Sequence, residues 1–423
     1  MPTSPEKNMK RKDSLPPLET RFQYPVPPTG KPRPKKTPIT VRRASNAELP
    51  ASHASAPTKE LVTSNSGSLE EDSSLEEVEA KFVHRNPAMA SEAQKKIDDM
   101  RNEGGEFERF NKEGQVYLDF TGSGQYGTSQ LQQHTALLSQ GCFGNPHSVN
   151  PTSSHSTQLV SETRRAVLDF FNADPEEYIC IFTMNASGAL RLVGESYPFS
   201  EHSHFALLQD THNSVNGIRE FAKAKGAQVT YTPVMTDTLR MDVDQTTMVL
   251  DHLTSLHQEA SPHTPGGQPL ARKLFAYPAQ SNFSGVKHPL DIIPQAQADG
   301  WDVLLDAAAF VPTNRLDLSS IKPEFVCMSF YKMFGYPTGI GALLMKKSMI
   351  PHLHRPWFAG GTIEVVSVSA TRYWPAKEHE NFEDGTVSFL GIPSVKIGFD
   401  FINNTLGGIN VINTRVTVFT RYL

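Results

Sequence analysis

The chain has 423 residues, and 40 Lys and Arg against 45 Asp and Glu leave a formal charge of −5. A balance this close to neutral argues against a whole-protein electrostatic grip on nucleic acid or acidic membranes. Three cysteines, Cys142, Cys180 and Cys327, are too few and too widely spaced for a disulfide framework or a zinc site, so no metal centre is expected.

No apolar run approaches the roughly 18 residues of a membrane span, and the charged amino terminus lacks the apolar stretch of a secretory signal. The chain reads as cytoplasmic. Residues 1–85 are expected to form a disordered tail. Residues 1–60 hold 12 of the 31 prolines, residues 1–50 carry 11 basic and 4 acidic side chains, and residues 68–80 are acidic. Such a composition buries too little apolar surface to offset the entropy of ordering it. KPRPKKTPITVRRAS (31–45) fits a nuclear-import or phosphorylation signal, although a solvated charged tail is the commoner meaning of such a run.

Order should begin at Asn86-Pro87, a helix cap with Pro at the first helical position, leading into AMASEAQKKIDDM. A short strand is predicted at 116–120, then a long helix over 156–173. Strands at 178–184, 204–210 and 228–234 alternate with helices at 189–197 and 215–226. After a helix and loose loop in 235–272 come strands at 273–279, 301–307, 324–330 and 340–347, with a helix at 289–300. Short strands separated by helical patterns indicate an α/β protein with a mostly parallel sheet.

Gly122-Ser-Gly124-Gln-Tyr-Gly127 has the spacing of a dinucleotide-binding turn. That reading requires a carboxylate about 20 residues on for the ribose hydroxyls. No Asp or Glu occurs between Gly127 and Glu162, and the reading is rejected.

Four other segments make better chemical sense together than apart. Lys332 follows an apolar strand among small and glycine residues; alone, it reads as a solvated surface lysine. Asp306 ends a hydrophobic strand ahead of three alanines, where a carboxylate is costly unless paired, or else caps a helix. Met184-Asn-Ala-Ser-Gly-Ala189 joins a strand to a helix, as an anion cradle or an ordinary cap. His212 lies in a loop after a strand. All four fall at the carboxyl ends of strands, where open α/β sheets bind ligands. An amine, a buried carboxylate, a phosphate cradle and a ring to stack upon are what pyridoxal phosphate requires.

The segments VYLDF (116–120), FGNPHS (143–148), FTMNASGAL (182–190), THNSVNGIRE (211–220), YPAQSNFSG (277–285), LLDAAAFVPTNRLDLS (304–319), SFYKMFGYPTGIGALL (329–344), AGGTIEVV (359–366) and FEDGT (382–386) resemble the class V, fold type I pyridoxal-phosphate family. Within it they resemble the cysteine-desulfurase-like domain of molybdenum cofactor sulfurases. The resemblance implies a mostly parallel seven-stranded sheet with helices on both faces, over a large domain at 86–400. It makes Lys332 the Schiff-base lysine, Asp306 the pyridinium partner and His212 the residue stacked on the ring. Ser187, Gly188 and Ser329 look like phosphate contacts, and Asn282 lies near the ring hydroxyl or the substrate. Gly361 and Thr362 look like the loop that reaches a neighbouring subunit's phosphate, which implies a homodimer. FGNPHS and the stretch from Asp119 to Tyr126 look like substrate-side walls.

The implied activity is removal of sulfur from L-cysteine as a persulfide, leaving alanine. Another class V transaminase or lyase, or a cofactor-binding chain without turnover, are the alternatives. The family's Gln three residues after the cofactor Asp is replaced by Ala309. Residues 401–423 resemble the start of a carboxyl-terminal small domain, expected to be largely absent here along with its substrate-carboxylate arginine and sulfur-accepting cysteine.

Overall fold

The computed structural model describes residues 74–260 and 271–422. Seven strands, β1 (Tyr178–Thr183), β2 (His204–Leu208), β3 (Gln228–Thr232), β4 (Lys273–Pro278), β5 (Trp301–Asp306), β6 (Phe325–Ser329) and β7 (Gly341–Lys346), form one sheet in the order β1-β7-β6-β5-β4-β2-β3. β7 runs antiparallel to both neighbours, and every pair from β6 to β3 is parallel.

Both faces are covered, so the central strands are continuously apolar rather than alternating. Along β1, Tyr178, Cys180 and Phe182 enter one core while Ile179 and Ile181 enter the other. The first core includes Phe171, Trp301, Phe330 and Phe399. Phe170 of the Pro151–Phe170 helix stacks on Phe399 of the Pro393–Asp400 helix at 4.4 Å, clamping these helices to it. The second core takes Leu190, Val193 and Tyr197 from the Ala186–Ser196 helix and its carboxyl cap.

Three expectations need correction. Within the stretch 1–85 expected to be disordered, Leu75–Arg85 is an α-helix capped by the Ser74 hydroxyl, with Glu76 and Glu77 in its first turn and His84 and Arg85 in its last. That polarity suits the helix dipole, and Phe82 stacks on Phe419 at 5.6 Å and meets Tyr422 edge-on at 5.0 Å. A composition averaged over 85 residues concealed one locally consistent turn-by-turn pattern. The rest of the tail, residues 1–73, lies outside the described residues.

Asn86 does not open a long helix either. It closes the preceding one through its Nδ2 bond to the Phe82 carbonyl, a 3₁₀ turn follows over Pro87–Ala90, and Ser91 caps the Glu92–Asp99 helix. Residues 116–120 form no strand. Val116, Leu118 and Phe120 are all exposed, and the segment has no ladder partner among the described residues.

The Ile409–Tyr422 helix packs back on the Glu92–Asp99 helix. Gln94 Nε2 donates to the Val411 carbonyl at 2.9 Å, and Arg415 pairs with Asp98. From the same helix, Asn413 Nδ2 donates to Thr313 O at 2.9 Å and Asn314 Oδ1 at 3.0 Å.

At the amino-terminal ends of the parallel strands, His204 is buried, Nδ1 has no partner among the described residues, and its ring lies 5.7 Å from that of His257. Burial, then the neighbouring His257 and Lys273, pushes the His204 imidazole down to about 4. The unfolded chain would take up this proton near its ordinary value of 6.5, while the folded chain resists it until about 4. Stability is therefore lost as pH falls through that window. Relative to His204→Gln, wild type should lose about 3 kcal/mol more between neutral pH and the bottom of the window, measured by urea unfolding. A pH-independent difference between the two proteins would contradict this.

Candidate active site

Because β6, β5, β4 and β2 are consecutive in the sheet and parallel, their carboxyl ends lie side by side. Ser329 ends β6 and Lys332 follows it, Asp306 ends β5, Asn282 follows β4 and His212 follows β2. With Asn185, Ser187, Gln280 and Tyr331 they line one cavity of about 120 Å³.

Asp306 is 7% exposed. Its Oδ1 accepts the Ala308 N–H at 3.1 Å, and no hydrogen bond from a described residue meets Oδ2. Burial raises this carboxyl above the usual carboxylate range, against the Ala308 N–H and the charges of His212 and Lys332. A buried carboxylate so placed is stabilised by a cation brought into the cavity.

The Lys332 amine donates to Asn282 Oδ1 at 2.5 Å. Burial pushes it below the ordinary lysine range, and the carboxylates of Asp306 and Asp119 oppose the shift. The net shift is towards the unprotonated, nucleophilic form of the amine.

The amino terminus of the Ala186–Ser196 helix opens on the cavity. Asn185 Oδ1 accepts the Gly188 N–H at 2.9 Å, and Ser329 Oγ accepts the Ala186 N–H at 2.7 Å. The Ser187 N–H has no acceptor among the described residues, and its hydroxyl lies 2.7 Å from that of Ser214. A free N–H and two hydroxyls at a helix amino terminus suit a phosphate. His212 Nδ1 accepts the Ser214 N–H at 3.1 Å, which orients the ring.

Six of the predicted residues (Ser187, His212, Asn282, Asp306, Ser329 and Lys332) thus meet in one cavity. Gly188, Gly361 and Thr362 do not. Gly188 lines a second cavity with Thr386, Trp357 and Glu383, and its N–H is spent on the Asn185 cap. Thr362 is buried, tying its loop to the hairpin of β8 (Ile363–Val366) and β9 (Tyr373–Pro375) through Ala359 and Ala376. A Cβ on Gly361 would lie 2.8 Å from the His147 ring, and Asn145 Nδ2 donates to Thr386 Oγ1 at 3.4 Å. FGNPHS, AGGT and FEDGT therefore form a separate cluster.

Gln280 was missed. It precedes Asn282 by two in the loop that follows β4, and both side chains line the cavity. Asn314 Nδ2 donates to Gln280 Oε1 at 3.2 Å, fixing a carboxamide in the cavity where position 309 offers only alanine. None of the cysteines lines the cavity. Cys142 is exposed, burial pushes the Cys180 thiol up to about 12, and Cys327 is raised by burial and by Asp306.

The rejected glycine pattern has a packing role. Gly124 N–H donates to the Tyr331 carbonyl at 3.0 Å, and a Cβ on Gly124 would sit 2.9 Å from the Lys332 carbonyl oxygen. Gly335, at φ +75°, abuts the Tyr126 backbone from the other side. Two chain segments cross in contact directly behind Lys332.

The profile of the class V aminotransferases matches residues 116–261 and 270–422. The chain belongs to the class V aminotransferase family. It is 38% identical over 326 residues to the molybdenum cofactor sulfurase of Solanum lycopersicum, and 37% over 325 residues to that of Homo sapiens. Each match covers 73% of this chain but only 39% and 35% of those relatives' own lengths. Among solved structures, a cysteine desulfurase from Thermococcus onnurineus NA1 superposes with a TM-score of 0.59 at 24% identity, covering 69% of this chain and 68% of that one. One from Escherichia coli gives 0.56 at 20%, covering 69% of each chain. These two establish the shared fold.

Gly124→Ala should cost about 1–3 kcal/mol, since backbone on both sides blocks relaxation. Gly335→Ala should cost more, because left-handed strain of about 1–2 kcal/mol adds to the clash. Denaturant unfolding measures both, and wild-type stability of either variant would refute the close crossing.

Proposed function

We propose that this chain carries pyridoxal phosphate on Lys332 and acts on an amino acid, with L-cysteine as the substrate whose sulfur is removed. The observation that carries the reading is the pairing of a half-buried amine with a buried carboxylate whose second oxygen lacks a hydrogen bond from any described residue. The family match and the sulfurase relatives support the choice of cofactor and of cysteine. When bound, the cofactor supplies an aldehyde for amines and a ring that accepts electrons.

The residues divide the work. Asp306 Oδ2 holds a proton at the ring nitrogen, and in return that cation relieves the carboxylate's burial. Ser187, Ser329 and the helix amino terminus hold the phosphate end. His212 offers its ring face as a lid, with its proton on Nε2 when neutral because Nδ1 accepts a backbone N–H. Asn282 orients the Lys332 amine, which is placed to take and return a proton at the substrate's α-carbon.

The cluster around Gly361 and Thr362 supports a homodimer in this reading. Trp357, Phe358, Val365, Val366 and Trp374 are exposed beside it, and a second copy covering them brings that loop towards the partner's cavity.

Borohydride reduction of the loaded protein, followed by peptide mapping, should place the pyridoxyl group on Lys332. Lys332→Ala should show no covalent label and no turnover, while retaining weak, dialysable cofactor binding. Label on another lysine would overturn the assignment.

A further inference from the structure

Behind the cavity lies a buried polar network that none of the roles above uses. Between Ala279 and His288 the chain doubles back, with Ser281 N–H donating to the Val286 carbonyl at 2.9 Å and His288 N–H to the Ala279 carbonyl at 3.0 Å. At its tip, Ser281 Oγ accepts the N–H groups of Phe283 at 3.1 Å and Ser284 at 3.0 Å. Gln280 and Asn282 line the cavity, while Ser281 between them does not and is 1% exposed.

The Ser281 hydroxyl donates to Asp210 Oδ1 at 2.9 Å, and the Ser284 hydroxyl donates to Asp210 Oδ2 at 3.3 Å. Asp210 sits just beyond β2, two residues before His212. Behind it, His288 Nε2 lies 3.6 Å from Asp210 Oδ2 and has no hydrogen-bond partner among the described residues. The Met241 N–H donates to His288 Nδ1 at 3.1 Å, so a neutral His288 carries its proton on Nε2, facing the carboxylate.

We propose that Asp210 is a positioning residue. By accepting both serine hydroxyls, with His288 at its back, it fixes the Ser281–Gly285 turn in the setting that aims the Asn282 carboxamide at the Lys332 amine. Two carboxylate oxygens receive two hydroxyls from one turn, and that turn carries the group in contact with Lys332. The network also joins the His212 loop to the Asn282 loop, so ring face and amine keep their spacing. This rests on Lys332 being the reactive amine of the proposed function.

The test uses the full chain without cofactor and reads Lys332 directly. The pH dependence of its acetylation by acetic anhydride is followed by peptide mass, with thermal melting as the check on folding. The Asn282 oxygen favours the charged form of Lys332. Asn282→Ala should therefore lower the pH at which the amine becomes reactive and raise labelling at neutral pH about tenfold, the worth of one charge-assisted hydrogen bond. Asp210→Ala should reproduce the shift, and the double variant should shift no further than either single one. Asp210→Asn keeps an acceptor for Ser281 and should fall between Asp210→Ala and wild type. Should Asp210→Ala fail to fold, Ser281→Ala carries the test, with the same shift expected. A wild-type Lys332 profile in Asp210→Ala or Ser281→Ala, or full additivity with Asn282→Ala, would overturn the proposal. Failure of the cofactor reading shows separately, as borohydride labelling away from Lys332.

Discussion

A carboxylate buried at the carboxyl end of a central parallel strand is the constraint around which this molecule is arranged. Asp306 sits between β4 and β6, with the pairs Pro278↔Asp306 and Asp306↔Cys327 holding its backbone on both sides. It cannot retreat to solvent, and the apolar surroundings raise its carboxyl. The alanines that follow keep the space before it open. The two side chains whose charged forms would oppose this shift, His212 and Lys332, come from the ends of other strands in the same sheet.

Those contributions arrive from loops tied to one another rather than resting separately on the sheet. Ser329 holds the first N–H of the Ala186–Ser196 helix, so the proposed phosphate cradle and the Lys332 turn move together. Asn282 meets Lys332, and the turn carrying Asn282 is tied to Asp210 and so to the His212 loop. Asn413 reaches Asn314, which holds Gln280, so even the Ile409–Tyr422 helix has a line to the cavity. Positional precision of this kind is what amine chemistry requires, since misplacement by about 1 Å can cost a hundredfold in rate.

The sheet was legible because its strands are short, continuous apolar runs punctuated by Asp, Asn and Gly, and buried parallel strands read that way. Lys332, Asp306, Ser187 and His212 were legible for a related reason, each standing at the punctuation where a strand ends. What escaped was whatever depends on partners distant in sequence. VYLDF has strand propensity but pairs with no strand among the described residues, and Leu75–Arg85 shows its stabilising contact only once Phe419 and Tyr422 are in place. Nor does the sequence show that the Gly188 N–H goes to the Asn185 cap. Gln280 could have been found by stepping back two residues from Asn282. The Asp210 network could not, because nothing in the sequence links positions 210, 281 and 288.

The central claim, that Asp306 exists to hold a proton on a ring nitrogen, is tested most directly by nitrogen NMR of the protein loaded with 15N-labelled pyridoxal phosphate. In wild type the ring nitrogen should show the shift of a protonated pyridine at and above neutral pH, and in Asp306→Ala that of an unprotonated one while the cofactor stays bound. The same ring-nitrogen shift in both proteins would contradict the account.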